Sequence, residues 1–237
     1  MRLAAFLALP LLASATIAQA QAYQCALPAT APAVRKPVPD GPVRTMPITG
    51  YTLALSWSPE YCRGQGGRSG DAFQCGRQNG RFGLILHGLW PEGANGRWPQ
   101  WCPTRRQASP QMLRQNMCMT PSAPLQAHEW AKHGSCMANT PEAYFRVARI
   151  LWDVNARRFP DLDLLSRRKD LNAGLIREAF VIANPAWQPR MIGVHLNERG
   201  WLEEIRLCYG KDFLPTRCTK GQYGAADTAP AKVFKGL

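Results

Sequence analysis

Eight cysteines constrain the fold of this chain more than any other feature of its sequence. They stand at positions 25, 62, 75, 102, 118, 136, 208 and 218. Zinc binding is the other common use of cysteines, but the C-x-x-C pair that is typical of zinc sites does not occur. An even number of cysteines in a secreted chain predicts disulfide bonds, although about 105 pairings of eight cysteines remain open on spacing alone.

The N-terminus has the features of a secretory signal peptide. Residues 1–22 combine one charged side chain, Arg2, with an apolar stretch and with Ala-x-Ala sites that end at Ala20 and Ala22. The apolar stretch is interrupted by Pro10 and is shorter than the ~20 residues of a membrane span, so an uncleaved anchor is the weaker alternative. No N-x-S/T sequon with a permitted middle residue is present. We therefore expect a periplasmic or secreted protein without a membrane span.

Three further segments follow the predicted signal peptide. Residues 23–50 are rich in proline and lack apolar periodicity, which predicts an extended lead-in segment. Residues 51–218 are expected to form one folded domain. Residues 219–237 are small and polar, which predicts a loosely held C-terminal tail.

Strand patterns stand at both ends of the domain and helix patterns fill its middle. The predicted strands are YTLALSWS from Tyr51, RFGLILHGLW from Arg81, MIGVHLN from Met191 and WLEEIRLCY from Trp201. The predicted helices are PLQAHEWAKHGSC from Pro124, PEAYFRVARILWDVNARRF from Pro141 and LNAGLIREAFVIANP from Leu171. In the second helix the predicted apolar face is Phe145, Ala148, Ile150, Leu151 and Val154. This order predicts an α+β fold with a central antiparallel sheet flanked by helices.

The net charge narrows the choice of partners. The formal charge is +13, and removal of the signal peptide would take away only Arg2. Such a charge favours a polyanionic partner, either nucleic acid or an anionic surface. A basic but inert secreted protein is the alternative that charge alone leaves open.

The stretch HEWAKHGSC, from His128 to Cys136, concentrates ionisable groups. On a helix, Lys132, Glu129 and His133 lie at about 40°, 100° and 140° from His128, so all four share one side. A salt-bridged surface helix is the plainer interpretation of such a cluster. The zinc motif H-E-x-x-H needs histidines four residues apart, whereas these are five apart. We therefore expect no metal here.

A third histidine, His87, ends an apolar run in LILHGLWPEG and is either structural or catalytic. Cleavage of RNA by its own 2′-hydroxyl needs a base, an acid and a cation for the phosphorane charge. Two histidines with pKa values near the reference of about 6.5 can supply base and acid together. A lysine supplies the positive charge. This use requires His87 to face the helix of residues 128–133.

The two stretches together resemble the signature segments of the ribonuclease T2 family. These appear as HGLWP from His87 and HEWAKHGSC from His128, and the likeness extends over about residues 50–218 through YTLALSWSPEYC, FQCGRQNGRFGLILHGLW and IRLCYGKDFLPTRC. The resemblance implies a disulfide-braced α+β fold. It also implies an endoribonuclease with broad base preference that needs no metal or other cofactor. Such an enzyme cleaves single-stranded RNA to a 2′,3′-cyclic phosphate and then to a 3′-phosphate.

The resemblance also implies a role for each site residue. His133 would be the general base and His87 the general acid of the first step, and the two roles exchange in the second. Glu129 and Lys132 would stabilise the pentacovalent phosphate, and His128 would bind a phosphate oxygen. Trp90 would stack on a base, with a core tryptophan as the alternative.

The chain departs from the family around the base site. The family often has aspartate just after HGLWP and tyrosine a few residues later, where this chain has Glu92 and Trp98. These two residues are the candidates for base binding, but base preference does not transfer. His195 matches no catalytic motif, and we expect it to be structural.

The resemblance implies three disulfides: Cys102–Cys136, Cys75–Cys118 and Cys208–Cys218. Cys25–Cys62 then remains by elimination. The expected partner is RNA, and we expect a monomer without membrane contact. Two other functions remain open: a catalytically quiet RNA-binding protein, and a metal-dependent phosphodiesterase.

Overall fold

The structure is a computed structural model that describes residues 22–64 and 69–236. The predicted signal peptide lies outside the described residues except for Ala22. The strands are β1 Ala22–Cys25, β2 Gly50–Trp57, β3 Gly80–Phe82, β4 Leu84–Glu92, β5 Ile192–Leu196 and β6 Leu202–Gly210. The α-helices are α1 Ser58–Gly64, α2 Ala72–Cys75, α3 Pro110–Gln115, α4 Ala123–Lys132, α5 Pro141–Ala156, α6 Leu162–Leu165, α7 Ala173–Ala183 and α8 Lys220–Tyr223. No described helix combines the length and apolarity that a bilayer crossing requires.

A four-stranded antiparallel sheet with the order β4-β2-β6-β5 forms the centre of the fold. Helices α4, α5 and α7 contact its strands, and the core between them contains large side chains such as Leu53, Trp130 and Ile176. The α+β prediction is confirmed. The strand predicted from Arg81 is divided, because the chain bends at Gly83 and β3 pairs with β1 in a separate sheet.

Helix α5 shows where the predicted apolar face was partly wrong. Thr140 caps its N-terminus by accepting a hydrogen bond from the Ala143 amide at 3.2 Å. The buried face consists of Pro141, Tyr144, Phe145, Ala148, Leu151, Trp152 and Asn155. Ile150 and Val154 are instead 55% and 63% exposed. Ile150 lies about 200° around the axis from Ala148, so the two cannot face the same core.

The C-terminal segment is packed, which corrects the prediction of a loose tail from residue 219. Ala231 and Val233 are buried in the main core. The fully buried Arg177 of α7 donates hydrogen bonds to the carbonyl oxygens of Tyr223 and Ala225 at 2.8 and 2.7 Å. Composition does not reveal this packing, because the segment is held through its backbone by a distant arginine.

We predict that Arg177→Met lowers the free energy of unfolding by about 3–5 kcal/mol, because buried carbonyl oxygens would lose a charged donor at about 1–3 kcal/mol each. Besides the two carbonyls of the C-terminal segment, Arg177 donates to the Ile192 carbonyl oxygen at 2.8 Å and to the exposed Asp227 carboxylate at 2.7 Å, so all four acceptors would lose this donor. Urea unfolding measures the change. Arg168→Met is the matched control, because Arg168 and its partner Asp170 are both exposed, and it should leave the curve in place. Equal midpoints for the two variants would contradict the prediction.

Four disulfides link the described cysteines, and two of the expected pairings are wrong. Cys102–Cys136 and Cys208–Cys218 are present as predicted. The remaining cysteines pair as Cys25–Cys118 and Cys62–Cys75, not as Cys25–Cys62 and Cys75–Cys118. Helices α1 and α2 contact each other, which places Cys62 and Cys75 with their Cα atoms 5.4 Å apart. Strand β1 pairs with β3, and from this position Cys25 forms a disulfide with Cys118. The proline-rich composition of residues 23–50 did not indicate this strand.

Candidate active site

His87 lies in a β-bulge of strand β4. The register pairs Ala54 of β2 with Gly88, and Leu55 with Leu86, so His87 has no partner on β2. Bulges of this kind redirect a side chain and are frequent beside active sites. The imidazole is about one third exposed and lines a cavity of about 600 Å³.

The cavity collects all eight side chains that the sequence selected. They are His87, Trp90, Glu92, Trp98, His128, Glu129, Lys132 and His133. The sequence did not predict six other lining positions, namely Gly96, Arg206, Thr219, Lys220, Gly221 and Gln222. The last four belong to the packed C-terminal segment, which therefore forms one wall of the cavity.

Helix α4 carries its ionisable groups to the cavity as its periodicity predicted. Its N-terminus is capped by Ser122, and its last residue is Lys132, followed by His133 at the C-cap. Glu129 approaches β4 so closely that a Cβ atom at position 88 would overlap its carboxylate. Gly88 is therefore required for this contact.

Glu129 joins the two signature segments. Its Oε2 accepts a hydrogen bond from Trp90 Nε1 at 2.7 Å, and its Oε1 lies 3.6 Å from His87 Nε2. Burial raises the pKa of Glu129 to about 7, although the His87 charge and the Trp90 bond oppose that shift. The interpretation of Trp90 as a core residue does not fit, because its indole lies between the rings of His87 and His133 at 5.2 and 5.5 Å.

His133 is buried, and within the part of the chain that the structure describes its Nδ1 has no hydrogen-bond partner. Burial lowers the pKa of His133 to about 3, and the neighbouring charges of Lys132 and His128 act in the same direction. The imidazole is therefore neutral at neutral and mildly acid pH.

His87 has the opposite tendency. Its Nδ1 lies 2.9 Å from Oε2 of Glu204, a β6 residue that the sequence did not select. Burial alone would lower the pKa of His87, but the hydrogen bond to Glu204 and the charge of Glu129 outweigh burial and raise it. The two imidazoles thus favour opposite protonation states, as a general acid and a general base require.

Lys132 and His128 face a carboxylate from the lead-in segment. Lys132 Nζ donates to Asp40 Oδ2 at 2.7 Å, and His128 Nε2 lies 3.8 Å from the same oxygen. Trp101 Nε1 holds the other oxygen of Asp40 at 2.9 Å. The hydrogen bond from Lys132 lowers the pKa of Asp40, so this carboxylate is charged. The Asp40 carboxylate thus contacts both Lys132 and His128.

Glu92 and Trp98 lie toward the C-terminal wall and the lead-in segment. Glu92 Oε1 accepts from Thr52 Oγ1 at 2.6 Å, and Gln222 Nε2 donates to the same hydroxyl at 2.8 Å. Burial raises the pKa of Glu92. Trp98 is 40% exposed, and the guanidinium of Arg44 lies over its ring at 5.4 Å.

Two further observations concern the remaining candidates. His195 Nε2 lies 2.9 Å from the Gln222 carbonyl oxygen, a contact that agrees with a structural role. Among residues 22–64 and 69–236, no group of three or more His, Cys, Asp or Glu side chains is placed to hold a metal ion.

The fold and the cavity together define a disulfide-braced α+β protein in which two imidazoles, those of His87 and His133, line one cavity. The model of the Ribonuclease T2 family matches residues 49–156. A probable ribonuclease of Haemophilus influenzae is 32% identical over 183 residues, which cover 73% of this chain and 61% of the relative. A ribonuclease of Aeromonas hydrophila is 40% identical over 101 residues, 43% of either chain. The chain thus spans less than two thirds of either relative. Residues 49–156 are thus similar to the ribonuclease T2 family, as the two signature segments predicted.

Solved structures share the fold. An RNase-related protein from Calystegia sepium aligns with a TM-score of 0.62 at 21% identity, covering 78% of this chain and 95% of that one. RNase NT in complex with 5′-AMP aligns with a TM-score of 0.57 at 20% identity, covering 79% and 99%. At these identities the likeness concerns the fold alone, and it agrees with the α+β class.

Proposed function

We propose that this protein is a secreted, metal-independent endoribonuclease that cleaves single-stranded RNA by transphosphorylation. The observation that carries the proposal is the pair His87 and His133, which line one cavity with opposite preferred protonation states. Lys132 lines the same cavity and would supply a positive charge there. The ribonucleases among the relatives support the same activity.

In the first step, neutral His133 takes the proton of the 2′-hydroxyl, and the 2′-oxygen attacks the adjacent phosphorus. Lys132 and Glu129 stabilise the pentacovalent phosphate, and His128 binds a phosphate oxygen. The imidazolium of His87 gives its proton to the departing 5′-oxygen, which leaves a 2′,3′-cyclic phosphate. The negative charge of a bound phosphodiester raises the pKa of His133 in the complex and so makes it a better base.

In the second step the two histidines exchange roles. His87, now neutral, takes a proton from water, and the hydroxide attacks the cyclic phosphate. His133 returns its proton to the 2′-oxygen, and a 3′-phosphate is released. Each histidine ends the cycle in its starting state, so the reaction needs no further proton donor.

Three residues of the cavity lining would bind the bases, namely Trp90, Glu92 and Trp98. The rings of Trp90 and Trp98 would stack on bases, which contributes about 1–3 kcal/mol per base and tolerates any base. Glu92 would accept a hydrogen bond from a base amino group. Stacking as the main interaction supports a broad base preference.

The four disulfides support the proposal that the protein acts outside the reducing cytoplasm. The signal peptide predicted from residues 1–22 specifies the route, and the absence of a sequon favours the periplasm. We propose a monomer that acts there on RNA.

The proposal predicts that RNA is cleaved at full rate in excess EDTA, because each step uses only side chains of this chain. The products should carry 2′,3′-cyclic phosphates first and 3′-phosphates later, which end-specific labelling and mass spectrometry detect. A DNA oligonucleotide with one ribonucleotide is the matched substrate, since cleavage should occur only after that nucleotide. Activity that disappears with chelator and returns with a divalent cation would favour a metal-dependent phosphodiesterase. RNA bound but left intact would favour a quiet binding protein.

A further inference from the structure

Glu204 reaches His87 across the central strand of the sheet. His87 is on β4 and Glu204 on β6, with β2 between them. Neighbouring strands are about 4.8 Å apart, so the two backbones are separated by roughly 10 Å. Ser56 of β2 pairs with Glu204 in the register, and its small side chain leaves room for the two longer ones to meet. The Ser56 hydroxyl itself lies 3.3 Å from His87 Nδ1.

The Glu204 carboxylate is itself held in place. It is buried, and its Oε1 accepts a hydrogen bond from Arg206 Nε at 2.7 Å while its Oε2 faces His87. Glu204 and Arg206 are two residues apart on β6 and therefore share one face of the sheet. Both carboxylate oxygens have partners, so the group has a fixed orientation toward the imidazole.

This arrangement fixes which nitrogen of His87 faces the cavity. With Nδ1 donating to Glu204, Nε2 is turned toward Glu129 and the site of the reaction. Other titratable or charged groups also face His87: Arg206 from β6, Glu129 and His128 from α4, and His133 at the C-cap of α4. Of these groups and Glu204, Glu204 is the one that forms a hydrogen bond with the imidazole of His87.

We propose that Glu204 is a positioning residue, which holds the imidazolium of His87 with its Nε2–H directed at the departing 5′-oxygen. This inference rests on the proposed ribonuclease function. It assigns to β6 a part in the reaction that lies outside the matched family segment of residues 49–156. A purely structural role, as the ion-pair partner of Arg206, is the alternative.

The test is the pH dependence of kcat/KM for Glu204→Gln. Glutamine keeps the size and the hydrogen bond but removes the charge, so His87 should lose its proton at lower pH. Because the general acid must be protonated, the alkaline fall in kcat/KM should move down by about one pH unit or more. Glu203→Gln is the matched control, since the neighbouring Glu203 is exposed, and its profile should match wild type.

Arg206→Met tests the sign. Its guanidinium opposes the charge on His87, so its loss should move the same fall to higher pH, whatever it does to the rate. A structural role for Glu204 predicts instead a lower rate or stability with an unmoved profile in Glu204→Gln. That outcome would overturn the inference.

An NMR titration of the His87 imidazole separates this inference from the proposed function. It needs no RNA, and a folded Glu204→Gln variant should show the His87 titration shifted downward by a similar amount. An unshifted titration would overturn the role of Glu204 even if RNA is cleaved. A shifted titration in a protein that leaves RNA intact would support the coupling and reject the ribonuclease function.

Discussion

Replacement of His87 or His133 by alanine is expected to reduce kcat/KM for RNA about 10²- to 10⁴-fold, the usual contribution of a general acid or base. In the proposed mechanism the two residues act in one proton-transfer cycle, so the double variant should lose far less than the product of the single losses. Steady-state cleavage of a labelled oligonucleotide measures all three variants.

The two histidines are distinguished by the leaving group. A substrate with a nitrophenolate in place of the 5′-nucleoside needs no proton from a general acid. His87→Ala should therefore recover most of its loss on this substrate, whereas His133→Ala should not. His195→Gln is the control, because His195 contacts the Gln222 backbone and lies outside the cavity. Recovery by the His133 variant alone would reverse the assignment of acid and base.

Lys132→Met is expected to reduce kcat about 10²- to 10³-fold, because one preorganised charge at the developing phosphorane is removed. Binding should weaken less than kcat falls, since the charge on the phosphate is larger in the transition state than in the substrate. Separate measurement of kcat and KM tests this expectation. A change confined to KM would show that Lys132 only binds the substrate.

Asp40→Asn is the counterpart of that experiment. The carboxylate of Asp40 holds Lys132 and lies near His128, where it competes with an incoming phosphate. Its neutral isostere should lower the inhibition constant of inorganic phosphate a few-fold at low salt, and the gain should shrink as salt screens it. Weaker phosphate inhibition in this variant would mean that Asp40 orients Lys132 instead of competing with the ligand.

The part of the site that a single helix carries was predictable from the sequence. Glu129 and Lys132 lie in the last turn of α4 and His133 is its C-cap, so periodicity alone placed them together. The meeting of that helix with His87 rested on the resemblance of the two segments to a known family. The bulge that redirects His87 was not predictable, because a bulge depends on the register of two paired strands.

The missed residues are those whose partners are far away along the chain. Glu204 is 117 residues from His87, and Asp40 is 92 residues from Lys132. Neither has a local pattern that marks it, since glutamate on a strand and aspartate in a proline-rich segment usually face solvent. Only the sheet order brings Glu204 to His87, and only the path of the lead-in segment brings Asp40 to Lys132. The two wrong disulfide pairings also involve cysteines whose partners could not be predicted from local sequence. The composition of residues 22–25 did not indicate strand β1, which carries Cys25.

The distance along the chain between His87 and Glu204 also has a consequence for synthesis. A ribosome adds about 5–20 residues per second, so roughly 6–23 seconds pass between these two residues. During that time β2 can pair with β4, but β6 and the C-terminal wall of the cavity do not yet exist. If the protein has the proposed activity, the nascent chain would carry no complete nuclease site during this interval, while it is attached to the ribosome, which consists largely of RNA.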